Sequence, residues 1–382
     1  VANEYRVSQN WVNEVLDFGH GVIRTENQQY NNGGDWIKFQ RFLTLSANAG
    51  QVFSNTMSYT YSLVHTTSGA YYGGVLSHTG EVHFIPHSAT VGQEVSAFGT
   101  VSTYSLIYTA TNAYAGGVLV ANGDIRFAPF SANNANTNNH GQRIDRSGIV
   151  ATINFPERPG TARFTGAVTS PSGVIHFIPR SSSNAVRLNA RTFTAVPYTL
   201  VYTATDAYFS GVVDPNGDIH FVPYSAAVGQ KVAANNTVST YSLTYTTANA
   251  YAGGVISTNG DIHFVPHNAN RGQKVSANGT VSTYSLTYTT TGAYAGGVLA
   301  PNGDIHFVPH NATVGQRVFA NGSVGTYSLA YTTSGAYIGG VLTPTGDIYF
   351  VPHNATVGQV LVTGAAKPFD IGVCCSMFLN KL

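Results

Sequence analysis

Two histidine positions recur along this chain and pose its first chemical question. His83, His176, His220, His263 and His306 share one place in a repeating frame, with Arg126 and Tyr349 as exceptions. His87, His267, His310 and His353 share another, with Phe130, Arg180 and Tyr224 as exceptions. Imidazoles in sets act as metal ligands or general bases. The two positions lie four residues apart, which on a strand puts both side chains on one face. Replacement by Phe, Arg and Tyr argues against the same metal centre in every copy, so no metal and no other cofactor is expected. A polar side chain between copies, with Asp261 and His263 satisfying one another or the backbone, is the structural alternative.

A carboxylate recurs just after a turn, as Glu81, Asp124, Asp218, Asp261, Asp304 and Asp347, with Val174 in the third copy. Acid–base catalysis needs one acid and one base at a single asymmetric place. Near-identical copies do not supply that asymmetry, and aspartate after Asn-Gly commonly bonds the turn backbone. No Ser-His-Asp order, phosphate-binding glycine loop or Cys-x-x-Cys pattern is present. No catalytic residue is assigned, and the chain is expected not to be an enzyme. Tyrosines offer a third chemistry. Tyr71, Tyr114, Tyr208, Tyr251, Tyr294 and Tyr337 precede a small-residue pair, with Phe164 in the third copy. A sugar face can stack on such a ring while Asn, Asp and His bind its hydroxyls. Tyr114, Tyr251, Tyr294 and Tyr337 are the candidate ligand-binding residues, with packing between copies as the alternative.

These residues are positioned by a tandem repeat. Its Phe-x-Pro proline recurs at Pro86, Pro129, Pro179, Pro223, Pro266, Pro309 and Pro352, with spacings of 43, 50, 44, 43, 43 and 43 residues. A fixed period of this length is one supersecondary unit copied in tandem. In the sixth copy, residues 293–299, 304–309, 316–320 and 326–331 are rich in Val, Ile, Tyr, Phe and Thr and read as strands. Pro301-Asn302-Gly303 and Asn321-Gly322-Ser323 between them read as tight turns. Four short antiparallel strands per copy predict an all-β fold, a seven-bladed β-propeller of four-stranded blades with an irregular N-terminal arm. Thr60-Tyr61-Ser62-Leu63 matches a fourth strand yet precedes the first copy, while Val357-Gly358-Gln359-Val360 lacks one after it. The N-terminal strand is therefore expected to complete the last blade and remove the free edges. The expected division is an arm at 1–45 and a propeller at 46–382, with a tail at 365–382.

Charge is sparse, 9% of residues with a net charge of +1, so no basic patch points to nucleic acid. No stretch of the chain is apolar over enough length to cross a membrane, and membrane insertion is not expected. The only cysteines, Cys374 and Cys375, are adjacent and cannot staple seven blades. The arm differs from the rest. It holds nine charged residues in 45, and both tryptophans. Arg6, Trp11 and Trp36 are its candidate interaction residues, in a segment that either docks on a partner or caps the ring. A second irregularity, residues 131–164, lengthens the third copy and concentrates Arg143, Arg146 and Arg158, which are candidate contacts if the insertion is not neutral.

Tyr5-Arg6-Val7-Ser8-Gln9 followed by Val12-Asn13-Glu14-Val15-Leu16 resembles the opening of many tailed-phage virion structural proteins. The Gly-Gly-Val-Leu-x-Pro-Asn-Gly-x-Ile-x-Phe-Val-Pro unit is similar to kelch-like tandem repeats of phages and giant viruses, as is the closing Phe378-Leu379-Asn380-Lys381-Leu382. These resemblances imply a virion component of a phage or related virus. Its arm would dock on other virion proteins, and its propeller would be displayed as a decoration, fibre or host-attachment module. They imply location in the virion and a homo-oligomer, with host-surface glycan as a further partner. A free multivalent carbohydrate-binding lectin is the alternative.

Overall fold

The computed structural model describes residues 25–32, 35–42, 56–132, 140–154, 164–192 and 194–363. The chain divides into two units, 1–54 and 55–382. In the first, Thr25–Asn32 and Asp35–Phe42 form an antiparallel hairpin in which Thr25 pairs with Phe42 and Asn32 with Asp35. The described part of the second forms seven four-stranded antiparallel sheets, a seven-bladed β-propeller. The innermost strands are Tyr71–Leu76, Tyr114–Leu119, Phe164–Thr169, Tyr208–Val213, Tyr251–Ile256, Tyr294–Leu299 and Tyr337–Leu342, numbered here as blades one to seven. Blade seven packs its innermost strand beside that of blade one, and this closes the ring. Its fourth strand is Met57–Ser62, paired with Val357–Val362 in the register Tyr61 to Gly358, as the repeat predicts.

Why these segments form blades is visible in blade six. Gly303 takes φ of 86° at the third residue of a turn closed by Ala300 and Asp304, and Asn302 Oδ1 accepts the Asp304 N–H at 3.1 Å. Across the ladder, Tyr294 pairs with Pro309 and Gly297 with Phe307, so two residues bulge between them. The Tyr294 ring, wholly buried, lies 5.6 Å from Phe307, and Val255 and Val265 of blade five pack against both. Each blade thus fills its core with two side chains from the blade before, and one such buried aromatic contributes about 1.5–3 kcal/mol. A second staple joins the blades. Gln273, fully buried on the third strand of blade five, accepts the N–H groups of Thr244 and Tyr245 from blade four at 3.0 and 2.7 Å. Gln93, Gln142, Gln230 and Gln316 do the same in their blades.

The insertion is not in blade three. His140–Ile144 and Val150–Asn154 are the third and fourth strands of blade two, so most of the added length belongs to that blade. Counting from proline to proline cuts each blade after its second strand, which assigned its outer half to the next copy. The two histidine positions also fail to share a face. His263 lies inside its blade with Nδ1 3.3 Å from Tyr284 Oη, whereas His267 follows Pro266, where the strand has ended and alternation no longer holds. Asp261 and His263 do not satisfy one another. Lys274, opposite His263 on the next strand, takes the Asp261 carboxylate at 2.7 Å.

Candidate functional site

The residues after the seven strand-ending prolines gather around the propeller axis at one end. His87 lies 5.6 Å from Phe130, Arg180 sits 5.3 Å over Tyr224, and Tyr224 is 5.7 Å from His267. The circle continues from His267 to His310 at 5.6 Å, to His353 at 6.1 Å and back to His87 at 6.0 Å. Inside this ring the second residues of the innermost strands form a floor: Tyr72, Ala115, Phe209, Ala252, Ala295 and Ile338 are buried in one cluster. Tyr72 of blade one and Phe209 of blade four meet at 5.7 Å across the axis. Apolar side chains thus lie inside a ring of mainly polar ones, an arrangement called the axial bowl below.

Below the floor the bulges bring backbone against backbone. A Cβ on Gly253 would lie 2.8 Å from Gly296 Cα, and one on Gly296 would lie 2.8 Å from Gly339 Cα. Gly296 also has φ of 95°, which L side chains rarely adopt. This collar holds the innermost strands of blades five, six, seven and one together under the bowl.

The wall has defined protonation. Nδ1–H of His87 donates to the Tyr114 carbonyl at 2.6 Å, and those of His267, His310 and His353 donate to the carbonyls of Tyr294, Tyr337 and Tyr71 at 3.0, 3.2 and 3.0 Å. A carbonyl only accepts, so the lone pair sits on Nε2 in each ring. Burial lowers the pKa of all four, to about 4 for His87 and His310, so they are neutral near pH 7. Arg180 supplies the cation. Burial opposes its charge, but the hydrogen bond from Nε to Asp206 at 2.7 Å outweighs this and keeps it ionised. The Tyr72 phenol is buried without a hydrogen-bond partner, and burial raises its pKa, so it remains a donor. Neutral acceptors, one guanidinium and one unpartnered phenol over an apolar floor suit a small ligand with mixed polarity. Among the described residues no three His, Cys, Asp or Glu side chains converge as metal ligands.

The candidate tyrosines are elsewhere. Tyr114, Tyr251, Tyr294 and Tyr337 are wholly buried, and the hydroxyls of the last three donate to the carbonyls of Arg271, Val314 and Val357 at 3.2, 3.0 and 3.1 Å. No ring face is left for a sugar. Their contribution to the bowl is indirect, because the carbonyls of Tyr114, Tyr294 and Tyr337 fix the histidine tautomers. Arg143 is held by Asp124 at 2.6 Å inside blade two, and Arg146 is exposed on its outer hairpin over Gly123. Trp36 falls on the second strand of the N-terminal hairpin, while Arg6, Trp11, Arg158, Cys374 and Cys375 lie outside the described residues. Sequence reading missed Tyr72 and Phe209 as bowl residues. The available signal was that the second histidine position departs from His in three consecutive blades, two to four.

No family model and no curated protein matches the chain. Solved structures do. A catalytically inactive histidine-to-alanine variant of virginiamycin B lyase from Staphylococcus aureus, with quinupristin, aligns with a TM-score of 0.69 at 16% identity over 81% of this chain and 99% of that one. A streptogramin B lyase aligns with a TM-score of 0.68 at 18% identity, over 82% and 99%. A chain described as the extracellular domain of a hybrid two-component system from B. thetaiotaomicron aligns at 0.62 and 11% identity, over 85% and 43%. These are bacterial lyases and a bacterial extracellular domain, not kelch-like or phage proteins. The expectation that the chain is not an enzyme is corrected on two grounds. The propeller is shared with lyases, and the axial ring has the asymmetry that near-identical blades were thought to lack. At these identities the likeness shows the propeller fold alone.

Proposed function

We propose that the chain is a ligand-binding propeller whose site is the axial bowl. The ligand is a small molecule with an apolar or aromatic face for Tyr72, Phe209 and Ile338. It carries O–H or N–H donors for histidine Nε2 atoms and a carbonyl or anionic group for Arg180. The observation that carries this reading is the set of four neutral histidines, each locked by a backbone carbonyl with Nε2 as acceptor, beside a single cation. Such fixed tautomers cost little reorganisation on binding. The test is a small-molecule thermal-shift screen on the full chain, followed by calorimetry on the hits. Affinity should fall at least about tenfold in Arg180→Gln and in a His267→Phe, His310→Phe double variant, since each removes a hydrogen bond worth about 1.4 kcal/mol or more. Hits indifferent to both variants would reject the bowl as the site. Turnover of a bound compound would make it an active site, with Nε2 as the proton acceptor.

A second reading concerns setting rather than site. The opening segment's resemblance to phage virion proteins supports display of the propeller from a particle through residues 1–45. Removing those residues should abolish particle incorporation while leaving bowl ligands bound. Normal incorporation of the truncated chain rejects this reading.

A further inference from the structure

At the end of the propeller opposite the bowl, blades two, four, five and six carry an ion pair whose acid blade three lacks. In blade four the Asp218 carboxylate accepts from Lys231 at 2.7 Å and from the N–H of Ala234 at 3.0 Å. In blade five Asp261 accepts from Lys274 at 2.7 Å and Ala277 at 3.1 Å. Blade six repeats this with Asp304, Arg317 at 3.3 Å and Ala320 at 3.0 Å. Blade three has Val174 where these aspartates stand, yet it keeps the cation. His176 pairs with Arg187 across the ladder just as His220 pairs with Lys231. No hydrogen bond or ion pair joins Arg187 to another residue among those described.

The room left by the missing carboxylate opens into a cleft of about 340 Å³ between blades three and four. Arg187 is its one charged lining residue, among Ser170, Ser172, Thr192, Thr194 and His176. His176 is buried, its Nδ1 3.2 Å from Tyr198 Oη. Its pKa is lowered to about 4, by burial first and by Arg187 second, so it adds no charge. A guanidinium in such a cleft, facing hydroxyls and no carboxylate, is a ready fork for an incoming acid.

We propose that this cleft binds a carboxylate carried on a polyhydroxylated body, such as a hexuronic acid, with the carboxylate in the place of the missing aspartate. Arg187 takes its two oxygens, and the serine and threonine hydroxyls meet the ligand's own. The cleft volume falls in the range of about 300–1,000 Å³ typical of small-molecule sites.

The experiment titrates the full chain with D-galacturonate and with D-galactose, followed by calorimetry and by amide shifts of blade three. Galacturonate should bind saturably and galactose at least tenfold more weakly. Arg187→Gln should weaken galacturonate at least tenfold. Val174→Asp should abolish binding by supplying the carboxylate internally, while raising the melting temperature. Arg180→Gln in the bowl should change nothing, which keeps this outcome separate from that of the bowl. Absence of saturable binding, equal binding of galactose, or binding that survives both Arg187→Gln and Val174→Asp in folded protein would overturn the assignment.

Discussion

Acidification from pH 7 to pH 5 should remove much of the propeller's stability. Burial holds His87, His176, His263 and His310 at a pKa of about 4 and His306 at about 3. In the unfolded chain each returns to about 6.5. The unfolded state therefore takes up protons below about 6.5 that the folded state refuses until about 4, so stability is full above that window and falls as pH drops through it. Integrated from pH 7 to pH 5, one such group costs somewhat less than ~2 kcal/mol. Five give roughly 9 kcal/mol, against a whole-domain stability of 5–15 kcal/mol. Other buried histidines whose pKa is lowered, among them His220, His267 and His353, add to that sum, while local opening of the bowl wall subtracts from it. In Glu81, Asp218 and Asp261, partial burial is outweighed by hydrogen bonds and the pKa is lowered, so their contribution is lost only below about pH 4. The window between pH 7 and 5 thus belongs to histidine. Urea midpoints read by near-ultraviolet circular dichroism from the tyrosines should fall steadily below pH 6.5. His263→Phe, in a site where Tyr349 is the natural alternative, should reduce the fall by at most about a fifth. A midpoint that stays level or rises down to pH 5 refutes the reasoning.

Gly296→Ala places a methyl 2.8 Å from Gly339 Cα on a backbone with positive φ. It should cost about 3 kcal/mol, visible as a lowered melting temperature, and a neutral effect would mean the collar is not tight. Gln273→Leu leaves the Thr244 and Tyr245 amides without an acceptor. About 3 kcal/mol should be lost, with faster hydrogen exchange at those two amides and little change at Thr287 and Tyr288. Lys274→Ala removes a partner that is one-third exposed, and a loss of only about 1 kcal/mol is expected by chemical denaturation.

Much of the architecture was legible because it depends on neighbours within one copy. The proline period marks where second strands end, and Thr60-Tyr61-Ser62-Leu63 could be matched to a fourth strand without knowing where it would lie. The bowl was not legible in the same way. Its wall is one repeat position sampled seven times, and the residues that touch are about 43 positions apart or on opposite sides of the axis, as Tyr72 and Phe209 are. Periodicity suggests that His263 and His267 share a face, but the strand stops at Pro266 and sends them to different places. The tyrosines were misread for a related reason. A ring beside a small-residue pair signals close packing as strongly as ligand stacking, and only burial separates the two. In blade three, Val174 stood out as the missing acid, but its meaning depended on Arg187 across the ladder.

The pairing of Met57–Ser62 with Val357–Val362 also sets a timetable for synthesis. A ribosome must add about 300 residues between the two strands, which takes roughly 15–60 s at ordinary translation speeds. Throughout that interval the six intervening blades can stack in succession, but the ring stays open like an unbuckled strap. Met57 and Tyr59, still half-exposed in the finished ring, wait with no partner strand. That waiting strand is the point at which a chaperone, or a second nascent copy offering its own Val357–Val362, would compete with correct closure.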